Sequence, residues 1–360
     1  MTRLPFCIFV ASLAFLAMPG CQHIGPRTIM VDRIPYNEAI ASSWKQQTLL
    51  NIVRLRYMDT PEFVDVSSIV GGYEHARTVS GGLGTEIYPR DSISNFLAAN
   101  LGGTRAIVDR PTISYSPQTG SEFTRNLTNP ILPISILNLI ESGYPADVVL
   151  ELAVESINGI RNRGYAGNMQ QADPEFQSVL QLIQQAQASG HVSLRVSPSA
   201  NKNGSDVVMV IRDEDITPEV TDDRNRLRTI LRLDPEEDEF KVVFGMLPKA
   251  KNEIAFRTRS VLRILAFLAL NVQVPECHLA DGRAPDLGDT NSPAQPQLTV
   301  LSGCEPPCDT FAAVCYQGYW FWVDQRDFHS KRTFAYLKIL LALADTEQKS
   351  AAPALTIRAN

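Results

Sequence analysis

Apolar positions recur with a helical period from about Pro35 to Tyr57, where Leu49, Leu50, Val53 and Tyr57 share a face opposite Gln47, Asn51 and Arg54. Pro35 suits a first helical position, and Asp59-Thr60-Pro61 stops the run. The period then drops to two. Phe63 to Val70 alternates as a strand, and Tyr73 to Val79, bracketed by Gly71-Gly72 and Gly81-Gly82-Leu83-Gly84, predicts a glycine-bounded hairpin. Arg105 to Ser116 alternates again, with Ile113 and Tyr115 opposed to Thr112 and Ser114. A proline-interrupted helical stretch runs through Ile140. Ala146 to Arg161 predicts a helix with Val149, Leu152, Ala153, Ser156 and Ile160 inward, and Asp173-Pro174 opens another with the stripe Phe176, Val179, Leu180 and Ile183.

Beyond Ser189-Gly190, Val192, Leu194 and Val196 alternate with polar residues and are answered by Asp206 to Ile211 across Asn203-Gly204, a hairpin pattern. A charged helix over Pro218 to Leu231, a strand over Phe240 to Met246 and a helix over Arg257 to Val272 follow. Pro275 to Pro307 is the longest irregular stretch. Strand Tyr316 to Asp324 and helix Ser330 to Ala344 complete the pattern. These elements predict an α+β protein, with several amphipathic helices packed on short, mainly antiparallel sheets. Its expected division is a helix-rich N-terminal lobe (35–189), an α+β C-terminal lobe with the cysteine-containing loop (190–347), and a tail (348–360).

Composition narrows the class. With 360 residues, 44% hydrophobic and 20% charged, the chain is no disordered tail, collagen-like repeat or multi-span membrane protein. Its 33 Lys+Arg against 39 Asp+Glu give no electrostatic footprint for nucleic acid. The first twenty residues read as targeting: Met1-Thr2-Arg3 is positive, Leu4 to Met18 is mostly apolar, and Gly20 precedes Cys21. Met18-Pro19-Gly20-Cys21 resembles the lipobox of bacterial lipoproteins, with Met18 and Pro19 departing from the usual Leu and Ala or Ser. That resemblance implies cleavage between Gly20 and Cys21 and acylation of Cys21 (a palmitate-type lipid); the alternative is a secretory signal with an incidental Cys. Gln22 after the Cys resembles the outer-membrane sorting signal of enteric bacteria. The mature part is then expected to be soluble and anchored by its lipid through a short tether (21–34), facing the periplasm.

Removing Cys7 and Cys21 from the count leaves Cys277, Cys304, Cys308 and Cys315. An even number in an oxidising compartment predicts two disulfides of undetermined connectivity. The irregular spacing disfavours a four-thiolate zinc site, so no metal is expected.

Standard catalytic and cofactor motifs are absent: no G-x-S-x-G, no H-E-x-x-H, no P-loop. No cofactor is expected. His23, His75, His191, His278 and His329 show no metal-ligand spacing. The densest polar cluster runs from Asp324 to Arg332. There Asp327 and His329, with Asp324 nearby, are candidates for an acid/base pair, and Arg326 or Lys331 for anion binding; the structural alternative is a helix cap. In the preceding Tyr319-Trp320-Phe321-Trp322-Val323, Trp320 and Trp322 share one side and are candidates for stacking on a glycan or other ligand, against burial of the whole strand.

The stretches YNEAIASSWKQQTLLNIVRLRY (36–57), ISYSPQTGSEFTRNLTNPI (113–131), ESINGIRNR (155–163) and YWFWVDQRDFHSKRTFAYL (319–337) resemble a family of Gram-negative lipoproteins of unknown activity. The resemblance implies envelope placement and carries over no site residue. The expected function is a lipid-anchored, non-enzymatic binding or structural component with an envelope-protein or cell-wall partner. The alternatives are an envelope hydrolase using Asp327 and His329, or a glycan-binding module using Trp320 and Trp322.

Overall fold

The computed structural model describes residues 25–71, 73–85, 97–109, 111–165, 169–190, 192–198, 205–211, 218–287 and 296–346. The leader, Gly20, Cys21, His191, Asn203-Gly204 and the tail lie outside them. The fold is α+β, with helices against small, mostly antiparallel sheets.

Helix α1 (Gly25–Arg56) starts ten residues before the expected site and carries Pro35 in its interior. The segment read as tether is helical from Gly25 onward. Proline deletes one intrahelical bond and crowds the carbonyl four residues earlier, at a cost of about 3 kcal/mol in a helix interior, on a stretch where neighbouring side chains such as Ile29, Val31 and Ile34 are exposed. From Thr48 onward α1 enters the body, with Leu49, Ile52 and Val53 fully buried. Its polar stripe is not solvated. Asn51 clasps the backbone of Glu62 from both sides (Nδ2 to O 2.7 Å, N to Oδ1 3.0 Å), and Gln47 accepts from Val64 N at 2.8 Å. That polar face fastens the incoming strand β1 (Phe63–Val70) to the helix.

Strand β1 pairs with β4 (Thr112–Gln118), and β2 (Tyr73–Thr85) pairs with β3 (Leu97–Asp109). The expected short hairpin is therefore a long ribbon. Gly81, Gly82 and Gly84 sit inside β2, opposite Leu101, Asn100 and Ala98, instead of bounding a turn. The helical stretch after β4 is split into α2 (Gly120–Thr128) and α3 (Pro133–Glu141), and Asn129 to Leu132 interrupts it.

Two expected helices are shorter than their patterns, each because part of its apolar run is a central strand. The Ala146–Arg161 run is α4 (Ala146–Ala153), then β5 (Val154–Ile157) turning at Asn158-Gly159 into β6 (Ile160–Arg161). The Arg257–Val272 run is the end of β12 (Glu253–Thr258), then α7 (Val261–Ala269), which Ser260 caps by accepting from Arg263 N. Short two-stranded pieces β7 (Gly164–Tyr165) and β8 (Met169–Gln170) precede α5 (Pro174–Ala188), whose stripe Phe176, Val179, Leu180 and Ile183 is buried as expected. The hairpin β9 (Val192–Pro198)–β10 (Ser205–Ile211) and helix α6 (Pro218–Leu231) also match.

With β11 (Glu239–Phe244) these strands form one six-stranded sheet in the order β6-β5-β12-β11-β10-β9, antiparallel except for the β11–β12 pair. Helices α3 and α5 pack on it. The sheet joins β5 and β6 to strands from beyond Gly190, and one apolar core runs from Leu49 to Leu340. The lobe boundary expected near Gly190 thus falls within a single sheet and a single core.

The C-terminal part holds a short helix α8 (Glu276–Ala280) and a three-stranded sheet, β13 (Leu301–Gly303), β14 (Thr310–Tyr316) and β15 (Tyr319–Asp324), with β15 central. The single strand expected over Tyr316–Asp324 is a hairpin, turned by Gln317 and Gly318 at φ 47° and 87°. Helix α9 (Phe328–Thr346) is the last described element and buries Phe334, Leu337 and Leu340. Among the described residues no helix is long and apolar enough to cross a membrane.

Candidate functional site

The residues singled out between Asp324 and Arg332 form the start of α9. Asp327 stands one residue before the helix and commits both carboxylate oxygens to Ser330, accepting from its N–H (3.1 Å) and its hydroxyl (2.5 Å). This is an N-cap, which satisfies amide donors that a helix start leaves orphaned. His329 Nδ1 instead lies 3.2 Å from Arg332. Asp324 accepts from the backbone of Arg326, whose side chain is exposed, and Lys331 donates to the Gln325 carbonyl. Asp327 and His329 therefore turn to different partners.

On β15, Phe321 and Val323 are fully buried, while Trp320 and Trp322 on the opposite face are half-buried. A Cβ added at Gly303 would meet the Trp322 ring at 3.2 Å, so that indole lies against the backbone of β13.

A cluster that sequence spacing did not reveal assembles at the other end of β15. The Tyr57 hydroxyl, from the end of α1, is 2.7 Å from Nδ1 of the buried His278 on α8. The His278 ring packs edge-on against Tyr319 with centroids 4.8 Å apart, and Cys277 Sγ is 3.0 Å from the Tyr319 hydroxyl. Tyr316 adds its ring to Tyr57 and its hydroxyl to the Asp59 carboxylate. Burial pushes the Tyr57 phenol up to about 12 and, with the Asp59 carboxylate, raises Tyr316. Burial, reinforced by Arg283, lowers His278.

His278 is therefore neutral in the fold where an unfolded chain would begin to protonate it, near pH 6.5. Its contribution is complete above that pH and is lost as pH falls below it. Urea unfolding at pH 7.5 and 5.5 is expected to show a larger acid-side loss for the natural chain than for His278→Gln. An equal loss in both proteins would remove His278 as the cause.

The ribbon β1–β4 has an unusual orientation. Its register pairs Val64 with Pro117, Val66 with Tyr115 and Ile69 with Ile113, and a bulge at Ser67 separates the last two pairs. Without the bulge, Ile69 would fall on the face opposite Val66. With it, all six apolar side chains share one face, and Asp65, Ser68, Ser114, Ser116 and Gln118 share the other. The apolar face is open at Tyr115 (64% exposed), Val64 (42%) and Ile113 (40%), with Val66 and Ile69 half-buried, and the opposite face is also exposed at Val70, Asp65, Ser68 and Ser114. Asp65 and Gln118, with Phe63, turn inward and line a cavity of about 300 Å³ between the ribbon root and helices α1, α2 and α9. Trp44 and Phe123 give that cavity aromatic walls, and Lys338 stands 5.3 Å from the Trp44 ring centre. Both outer edges of the ribbon lack a further strand among the described residues. An isolated two-stranded ribbon is marginal in water, and open edges and an open apolar face invite a partner.

Among the described residues no three His, Cys, Asp or Glu side chains are grouped to hold a metal ion. No protein family, curated protein or solved structure matches the chain.

Proposed function

We propose that the chain is a lipid-anchored cell-envelope protein, held at the outer membrane by an acylated Cys21 and facing the periplasm, where it acts as a non-enzymatic binding component. The reading of the anchor rests on the charged start, apolar run and Gly20-Cys21 junction of the leader. The observation that carries the binding role is the apolar face of the ribbon, exposed at Val64, Ile113 and Tyr115 and continued by the half-buried Val66 and Ile69. A partner protein contributing a strand would cover that face and one open edge together.

Two measurements test this reading. Feeding cells a palmitate analogue is expected to label the natural chain and not Cys21→Ala; absence of label, or label that survives the substitution, removes the anchor. A photo-crosslinker at position 115 is expected to trap a discrete protein adduct in the native envelope, whereas one at position 114, on the opposite face, is not. No adduct at 115, or the same adducts from both positions, sinks the binding role.

A further inference from the structure

The four cysteines Cys277, Cys304, Cys308 and Cys315 are separate, exposed thiols in the structure, but they are not equally placed. Strands β13 and β14 both run antiparallel to β15 and flank it on its two sides. Residues 304–309 must therefore travel from the Trp320 end of β15 back to its Asp324 end across one face. Phe321 and Val323 bury the other face in the core, so the passage crosses Trp320 and Trp322. It begins at Cys304, the residue after Gly303, and Gly303 pairs with Trp320; Cys304 is thus set beside Tyr319. Cys277 Sγ lies 3.0 Å from the Tyr319 hydroxyl, and the Cys277 and Cys304 thiols together hold the pKa of that phenol above the usual tyrosine range. Cys277 is fixed at this spot because its neighbour His278 is buried between Tyr57 and Tyr319.

We infer that Cys277 and Cys304 are disulfide partners. Both flank Tyr319, Cys277 through its 3.0 Å contact with the hydroxyl and Cys304 through the register of β13 that sets it beside Tyr319, and both lie at the surface, where side-chain rotation can bring the sulfurs into a direct bond. The inference excludes the two connectivities in which Cys277 pairs with Cys308 or Cys315. The oxidant is a second disulfide, either small, such as glutathione disulfide, or carried by a protein. One cysteine thiolate attacks the donor disulfide and releases one donor thiol. The other cysteine thiolate then displaces the second donor thiol from the mixed disulfide. Two electrons pass from the cysteine sulfurs to the donor, and the two thiol protons end on the two released donor thiols. The product joins α8 to the end of β13 and closes the stretch 277–304 into a loop.

This inference concerns the folded chain and does not rest on its envelope placement. The test oxidises the reduced, purified full chain with glutathione disulfide, blocks remaining thiols by alkylation, and maps linked peptides by mass spectrometry without reductant. A linked Cys277–Cys304 peptide as the main product is expected. A main link from either residue to Cys308 or Cys315, or complete alkylation of Cys277 and Cys304, overturns it. Palmitate labelling at Cys21 is read separately, so failure of the anchor and failure of the pairing remain distinct.

Discussion

Replacing Arg259 by methionine is expected to destabilise the fold by about 2–6 kcal/mol, about 1–3 kcal/mol for each of two buried carbonyls left unpaired. Helix α4 runs into strand β5 at Ala153–Val154 with no cap residue or turn between them, inside the core. Its last carbonyls have lost their helical donors, and a buried orphan carbonyl is costly. Asn162 Nδ2 donates to the Glu151 carbonyl at 2.8 Å, and Arg259 supplies the rest and a second donor to Glu151. Its guanidinium bonds the carbonyls of Glu151 (2.8 Å) and Leu152 (3.0 Å), and its backbone N–H bonds that of Ala153 (2.7 Å). It also reaches the Arg163 carbonyl and lies over Phe267, 4.2 Å from the ring centre. Burial lowers this guanidinium to about 9 while Glu155 and Glu151 oppose the shift, so it remains charged at neutral pH and meets the negative end of α4. Methionine fills the space but leaves the Leu152 and Arg163 carbonyls unpaired, while Asn162 still donates to Glu151 and the backbone N–H at 259 to Ala153. Arg259→Lys keeps the charge without the fork of donors and is expected to recover only part of the loss. Urea unfolding decides this: midpoints for both variants equal to that of the natural chain would mean the carbonyls have another source of donors.

The second large effect is expected at Asn158, where Ala should cost about 2–4 kcal/mol, from two buried groups left unpaired plus a left-handed backbone. Asn158 has φ 48° and is followed by Gly159 at φ 86°, the paired positive angles of a two-residue hairpin turn between β5 and β6. Its side chain also ties three elements together. Oδ1 accepts from Ala255 N on β12 at 2.7 Å, and Nδ2 donates to the Leu231 carbonyl at the end of α6 at 2.8 Å. Asn158→Gly relieves the backbone but not the lost bonds, so it should fall between the natural chain and Asn158→Ala. If glycine and alanine destabilise equally, the left-handed angle contributes nothing; if neither does, the side-chain bridge is of no account.

These two sites also explain what the sequence left hidden. The buried helix stripe Phe176, Val179, Leu180, Ile183 was legible because burial on one side imposes a period, and the alternation Val192, Leu194, Val196 because a strand has period two. The break at Ala153 was not, since Val154 to Ile157 continues the apolar spacing of α4 and the cap that ends the helix comes from Arg259, over a hundred residues away. One local signal was available: Asn-Gly at 158–159 marks a hairpin turn more strongly than the helical spacing across it marks a helix. Asp327 was readable as a cap from its position before an apolar periodic run. The cluster around Tyr319 was out of reach, because Tyr57 and His278 lie 221 residues apart and meet only through packing.

Helix α1 has a consequence for the proposed anchor. From Gly25 to Ser43 none of its described side chains is buried, about 28 Å of helix at 1.5 Å per residue. With Cys21 held in the bilayer, as proposed, that length acts as a stalk. A flexible tether of the same residues would let the body drift down onto the lipid surface; a helix holds it at a standoff, bent at most where Pro35 weakens it. The height at which a partner could be met would then be written in the residue count of α1, so that inserting or deleting whole turns there would raise or lower the reach of the ribbon without touching either the anchor or the fold.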